Sequence, residues 1–404
     1  MKRMFTIILG LALLASSTAW AQCDFQNDVP VTSLSAGFEA WKVVTDEMAA
    51  CGNFTPELDQ EFREKQPAAM AANPSQYTIG GVANSTIVPL LSDGLIRPLN
   101  DLVEQYGQDL AQNQIIEMDG NIMAIAMMIN AQHLMYRSDI LEELGLEVPT
   151  TYDEVLEAAQ VIQDAGVVEY PLGGTFAPGF NLGEEFINMY LGMGGEFFDE
   201  NNMPTVNNEQ GVAALEMLKA LSEYMDPEFL ASDSTVVQQQ FQQGKIAMAN
   251  LWASRAGAMN NPEESQVVGL IDFAAAPAAV EGGPPATTLW WDGMTIASNV
   301  SDEAAEAAFQ LIMEGIKYEN LSEHPDVAIW LTDPPIESDI GRGAIASAEA
   351  GAPSYPASNA IALMHDAAGN NVADFLRGAE SAEKTLSDIE AAYTTAAREA
   401  GLIN

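Results

Sequence analysis

The chain has 404 residues, 48% of them hydrophobic, which can bury a large core and exceeds one comfortable domain, so two domains are expected. Against 58 acidic residues stand only 15 Lys and Arg, a formal net charge of -43 that makes nucleic acid and anionic membrane surfaces poor partners. Two cysteines are too few for a structural zinc site, and His133, His324 and His365 stand in no metal-ligand spacing, so neither metal nor cofactor is expected.

At the start of the chain, Lys2 and Arg3 precede an apolar run over residues 5–15 and the small-x-small pattern Ala19-Trp20-Ala21. That order predicts an export signal covering residues 1–21, cleaved after Ala21, and hence a periplasmic protein. The run is too short for a bilayer span, which needs about 20 residues. Cys23 just past the cleavage point raises a lipid anchor as an alternative, although Gln22 before it is not the small residue such anchors favour. In an oxidising compartment Cys23 and Cys51 are expected to pair, closing a loop of about 28 residues at a gain of roughly 3 kcal/mol. Two free buried thiols are the other possibility.

Short apolar runs then alternate with amphipathic stretches, which is the pattern of an α/β protein. Residues 29–34 read as a strand, ending in Ser35-Ala36-Gly37 before a helix that carries Phe38, Trp41, Val44 and Met48. Residues 77–82 read as another strand, closed by Asn84-Ser85-Thr86 before a helix with Ile87, Leu90 and Leu91. In open α/β sheets such strand-to-helix turns bind ligands, because helix N-termini offer free N–H groups. Ser35, Phe38, Asn84, Ser85 and Thr86 are candidate contacts for that reason, and each can equally serve as a cap.

Thr151 and Glu154 form a capping box for a helix that Gly166 ends. Between Gly173 and Gly195 seven glycines alternate with aromatics, and the stretch reads as irregular loops that bind ligand or merely pack. Residues 274–285 look equally loop-rich and lead into Trp290-Trp291-Asp292. Ser301 caps a later helix, and Leu386, Ile389, Tyr393 and Ala397 form one apolar stripe near the C-terminus.

Four segments in order resemble a known family. They are His133-Leu134-Met135-Tyr136-Arg137-Ser138-Asp139 with Pro149-Thr150-Thr151-Tyr152-Asp153-Glu154, then Phe241-Gln242-Gln243-Gly244-Lys245-Ile246-Ala247-Met248, then Gly293-Met294-Thr295-Ile296-Ala297, then Phe375-Leu376-Arg377-Gly378 with Ser381-Ala382-Glu383. Together they are similar to the extracellular solute-binding proteins of carbohydrate ABC importers, the maltose-binding-protein-like group. Each segment specifies scaffold rather than ligand.

The resemblance implies an α/β, two-lobed periplasmic-binding-protein fold, type II-like, with a hinge and an interlobe ligand cleft. One lobe would comprise 22–127 plus 292–325, the other 128–291 plus 326–404. It further implies a monomer that captures a sugar or polyol by hinge closure and delivers it to the membrane subunits of an ABC importer. Trp252 falls where the family commonly places a stacking aromatic, with Arg255 nearby. Trp290, Trp291 and Asp292 fall at the second crossover. Adjacent strand residues face opposite sides, so at most one of the two tryptophans can stack on a ligand. Asn130, Gln132 and His133 fall at the first crossover. Asn130 stands where the maltose binder has a carboxylate, which speaks against maltose. Asn181 and Glu184 in the glycine-rich stretch, and Tyr355 and Asn359 near a family aromatic contact, complete the candidates.

Two rival readings use the same residues. One is a binding protein for a non-carbohydrate solute (a polyamine, osmolyte or amino acid). The other is a secreted carbohydrate-active enzyme, for which no nucleophile elbow, phosphate loop or marked carboxylate pair is present, so no catalytic residue is assigned.

Overall fold

The structure, a computed structural model, describes residues 23–118 and 120–403. The export-signal reading and its cleavage point at Ala21 lie outside the described residues.

Among the described residues eleven strands form two sheets. The first contains β1 (Asn27–Ser35), β2 (Gly52–Leu58), β3 (Ile79–Ala83), β4 (Ile115–Met118), β5 (Asn121–Asn130), β10 (Trp290–Ile296) and β11 (Ile329–Trp330). Its order is β11-β5-β10-β3-β1-β2, with β4 pairing β5. β1 runs parallel to β2 and β3, whereas β10 is antiparallel to both β3 and β5. The second sheet contains β6 (Gln132–Arg137), β7 (Tyr170–Gly173), β8 (Ile246–Trp252) and β9 (Ile271–Ala274), in the order β7-β8-β6-β9. The chain leaves the first sheet between Asn130 and Gln132 and returns to it at Trp290.

Each sheet buries its own core. Trp41, Val44 and Met48 of the helix Glu39–Ala50 pack against β1, β5 and the helix Asp302–Gly315. In the second unit the stripe Leu386, Ile389, Tyr393 and Ala397 is fully buried against helices Phe180–Gly192, Glu209–Ser222 and Asn359–Leu376. Thr151 Oγ1 accepts from Glu154 N at 3.2 Å and Glu154 reaches back to Thr151 N at 3.3 Å, so the box starts its helix as read, and Gly166 ends it at φ 65°. Ser301 likewise accepts from the Ala304 amide.

The stretch from Gly173 to Gly195 departs from the loop expectation. Its centre is a thirteen-residue helix, Phe180–Gly192, almost wholly buried. Here glycine serves close approach rather than turning. A Cβ on Gly183 would lie 2.4 Å from His365 Cδ2, and one on Gly369 would lie 2.1 Å from the Gly179 carbonyl oxygen. The helix therefore packs nearly backbone to backbone on Asn359–Leu376, a reason for glycine that local propensity does not reveal.

Cys23 and Cys51 form a disulfide with a Cα–Cα distance of 5.7 Å and a sequence separation of 28. It ties the segment before β1 to the end of the helix Glu39–Ala50. Loop-closure entropy for that separation predicts that the double Cys→Ser variant loses roughly 3–4 kcal/mol. Differential scanning calorimetry should show a melting temperature lower by about 4–5 °C, since a chain of this size unfolds with a large entropy.

Candidate functional site

Helices and loops of the two units together line an open cavity of about 160 Å³. One wall comes from the first unit: Arg63, Gln66 and Pro67 of the helix Phe62–Ala71, with Ser85, Thr86 and Pro89 around the start of the helix Ile87–Ser92. The other comes from Phe180, Tyr355, Ala362, His365 and Asp366. A larger surface pocket of about 1060 Å³ borders Asp24, Tyr106, Lys317 and Asp333 but takes no residue from the second sheet or its helices. Only the smaller one is built by both units.

Local bonds fix the first wall. Gln66 is buried and donates to the carbonyls of Leu34, at 3.1 Å, and Gly81, at 2.9 Å, pinning its helix across β1 and β3. Thr86 Oγ1 accepts from Ala83 N at 2.8 Å, and Ser85 lines the cavity beside it. Arg63, which sequence reasoning missed, lies over the Phe180 ring with its guanidinium carbon 3.9 Å from the centroid, a cation–π contact between the two units. No carboxylate stands within ion-pair distance of it among the described residues, and its buried Nε has no partner. Asp292, half-buried on β10 opposite Ala83, faces the same cation. Burial pushes its carboxyl up to about 7, while the Arg63 charge and the Trp41 indole pull it back.

The second wall is an aromatic cluster. Trp290 packs on Tyr355 at 4.1 Å and meets Phe180 and Trp252 edge-on, each at 5.8 Å. His365 stacks on Phe180 at 4.8 Å. Its Nε2 lies 2.8 Å from the Phe180 carbonyl and must donate there, which leaves Nδ1 to accept from the Tyr355 hydroxyl at 2.9 Å. Burial pushes this imidazole down to about 4, so it is neutral at physiological pH. Beneath the cluster Glu184 Oε1 accepts from Trp290 Nε1 at 3.0 Å and from Thr288 at 2.8 Å. Glu184 Oε2 is buried without a hydrogen-bond partner, 3.9 Å from His365 Nδ1, and burial pushes the carboxyl up to about 7.

The other candidates are placed as follows. Trp290 and Trp291 do face opposite ways: the first joins the core of the second unit, the second packs against Val82 and Leu90 of the first. Asn84 is a clamp, donating to the Leu289 carbonyl at 3.3 Å and accepting from Trp291 N at 2.9 Å. Asn359 donates to Ser92 Oγ at 2.7 Å, a bond between the two units. Ser35 ends β1, and its buried Oγ has no partner. Phe38 precedes the helix Glu39–Ala50 and packs on the core. Asn181 sits half-buried in the first turn of Phe180–Gly192.

Of the candidates only Ser85, Thr86 and Tyr355 line this cavity, and four of the others are committed to protein partners elsewhere. Asn130 is tied to Ser254, donating at 3.1 Å and accepting from its amide at 3.3 Å. Gln132 is wholly buried and satisfied by Glu185, Thr175 and Asn188. His133 is buried against Phe273, stacked at 5.3 Å, and pushed down to about 3 by burial. Arg255 reaches Ser234 at 3.0 Å and Gln238 at 3.3 Å on a neighbouring helix. Besides Arg63, the reading missed His365 and Asp366. The available signal was scarcity, since a chain with 15 cations and three histidines has few to place near a ligand.

Glu185 supplies a pH test of the interior beneath the site. Burial pushes it up to about 7, above its ordinary 4.5. A raised carboxylate contributes fully below its unfolded pKa and loses that contribution as pH rises through the folded value. The wild type therefore forfeits on the order of 2–3 kcal/mol at this residue between pH 4.5 and 7.5. His133 and His365, both lowered, act in the opposite direction, destabilising as pH falls below 6.5. Comparison with Glu185→Gln isolates the carboxylate: the variant should gain on wild type in melting temperature from pH 5 to pH 8.

The profile of the family described as bacterial extracellular solute-binding protein matches residues 53–369. A probable ABC transporter-binding protein of Deinococcus radiodurans is 29% identical over 337 residues, covering 77% of this chain and 76% of its own. The ribitol complex of an ABC transporter solute-binding protein from Agrobacterium radiobacter superposes with a TM-score of 0.82 at 21% identity, covering 91% of this chain and 98% of that one. A relative from Agrobacterium vitis with bound D-mannitol gives 0.77 at 19% identity, with 92% and 99% covered. The family match spans well over half of the sequence and the fold agrees over about nine-tenths of it; the chain belongs to the bacterial extracellular solute-binding proteins.

Proposed function

We propose that this protein captures a sugar or polyol in the cavity between its two units and delivers it to the membrane subunits of an ABC importer. The observation that carries the reading is the cavity itself, lined from both units by Arg63, Ser85 and Thr86 on one side and Tyr355, His365 and Asp366 on the other. Neutral hydroxyls, which both donate and accept, suit a lining of guanidinium, carboxylate and hydroxyl groups. Ribitol and D-mannitol in two proteins of the same fold point the same way.

We take the lobes as 22–127 plus 292–325 and 128–291 plus 326–404; β11 departs from that division, because it pairs with β5 at the edge of the first sheet. Closure brings Arg63 onto Phe180 and Ser92 onto Asn359, and the ligand stabilises that state by touching both lobes. The ligand leaves chemically unchanged, because the site's work is binding. Export to the periplasm after cleavage at Ala21 and a monomeric state complete the reading; no helix among the described residues is long and apolar enough to cross a membrane.

A thermal-shift screen of the ligand-stripped protein against sugars, polyols, amino acids and polyamines tests the class. A ligand at about 100 times its dissociation constant adds roughly 2.7 kcal/mol and raises the melting temperature by a few degrees. Hits among sugars or polyols are expected. Hits confined to amino acids or amines would sink the carbohydrate reading.

A further inference from the structure

Asn84 directly precedes Ser85 and Thr86 of the cavity wall, yet it is buried and does not line the cavity. Its amide is committed to the crossover into β10, and the two backbone groups it grips belong to different units. Leu289 is strapped to the second unit. Its N–H donates to the Pro353 carbonyl at 2.8 Å, its carbonyl accepts from Tyr355 N at 3.0 Å, and Tyr355 packs in the second core. Trp291 belongs to the first unit, pairing with Ile129 of β5 and packing beside Val82 and Leu90. Where this crossover is concerned, a rotation of one unit against the other must be taken up between Leu289 and Trp291.

Asn84 follows β3 and so lies on the first-unit side of that pivot. Its Oδ1 accepts from Trp291 N at 2.9 Å, a bond within one unit. Its Nδ2 donates to the Leu289 carbonyl at 3.3 Å, a bond across the pivot, and shares that acceptor with Tyr355 N. Ser85 adjoins Asn84 and Tyr355 lines the opposite wall, so the two walls of the cavity are joined through the Leu289 oxygen.

Resting on the capture-by-closure reading above, we propose that Asn84 is a positioning residue, whose Nδ2 holds the closed register of the two walls through the Leu289 carbonyl without touching the ligand. Opening breaks this bond and leaves the one to Trp291 N intact. Ligand enters and leaves through the open state, so losing a bond present only on closure speeds release and leaves capture alone.

Stopped-flow tryptophan fluorescence of the exported protein separates the two rates, using whichever compound stabilises it in the thermal-shift screen, sugar or not. Asn84→Asp keeps the acceptor for Trp291 N and lacks the donor to Leu289. Asn84→Ala lacks both, and brings in no buried charge should the first variant fail to fold. The dissociation rate should rise about three- to tenfold, the range for one neutral hydrogen bond, with association within about twofold of wild type. Slower association at unchanged dissociation, or both rates within about twofold of wild type, would overturn the inference. An amine or amino acid as the only hit would sink the carbohydrate reading while the rates still decide the role of Asn84. If no compound binds, small-angle X-ray scattering of the free proteins decides: both variants should have a larger radius of gyration than wild type, and equal radii would overturn the inference.

Discussion

Replacing Arg63 with alanine is expected to weaken ligand binding 100-fold or more while leaving the unliganded protein folded. The guanidinium is the cation that bridges the two walls, 3.9 Å above Phe180, and it faces Asp292 without forming an ion pair. Removing it takes away both a cation–π contact formed on closure and the donors that a hydroxyl-bearing ligand would use; bonds to a charged group are each worth about 1.5–3 kcal/mol. Arg63→Lys should keep the charge but lose the planar fork, and fall at least tenfold short of wild type. Titration calorimetry with the tightest ligand checks both. Affinity within threefold of wild type in Arg63→Ala would remove this residue from the site.

Trp290→Ala should be the most damaging single change to stability. The indole is buried among Tyr355, Phe180 and Trp252, and its N–H donates to Glu184 at 3.0 Å and Thr288 at 2.9 Å. Deleting a buried aromatic of this size costs about 3–5 kcal/mol, and here it also strips a donor from a buried carboxylate. A fall in melting temperature of about 5 °C is expected for a chain of this length. Trp290→Phe should fall in between, keeping most of the packing while Thr288 still donates to Glu184. Equal losses in the two variants would mean that the N–H, not the ring, matters.

These two residues also mark what the sequence revealed and what it hid. Trp290 was legible because strand alternation is local: two adjacent tryptophans had to face opposite cores, and they do. The same holds for the Thr151–Glu154 box, the αL glycine at 166 and the buried C-terminal stripe, each decided within a few turns of chain. Arg63 was hidden because its partner Phe180 lies more than a hundred residues away, and no local pattern distinguishes it from a solvated surface cation. His365 was hidden for the same reason, since its role depends on Tyr355, the Phe180 carbonyl and the close approach at Gly183.

Gln132 illustrates the opposite error. A polar residue interrupting an apolar run looks like a ligand contact, yet here it completes a buried network with Glu185, Thr175 and Asn188. Polarity at a crossover shows that hydrogen bonds are made there, not with whom. The helix Phe180–Gly192 was misread because its glycines lower helix propensity, and packing against Asn359–Leu376 overrides propensity where backbones approach closely.

Hinge closure around a sugar or polyol is tested most directly by small-angle X-ray scattering of the stripped protein, with and without a saturating ligand found in the thermal-shift screen. A smaller radius of gyration in the bound state is expected, with the bound curve matching the compact arrangement in which Arg63 meets Phe180 and Ser92 meets Asn359. Identical curves for the free and saturated protein would contradict capture by closure.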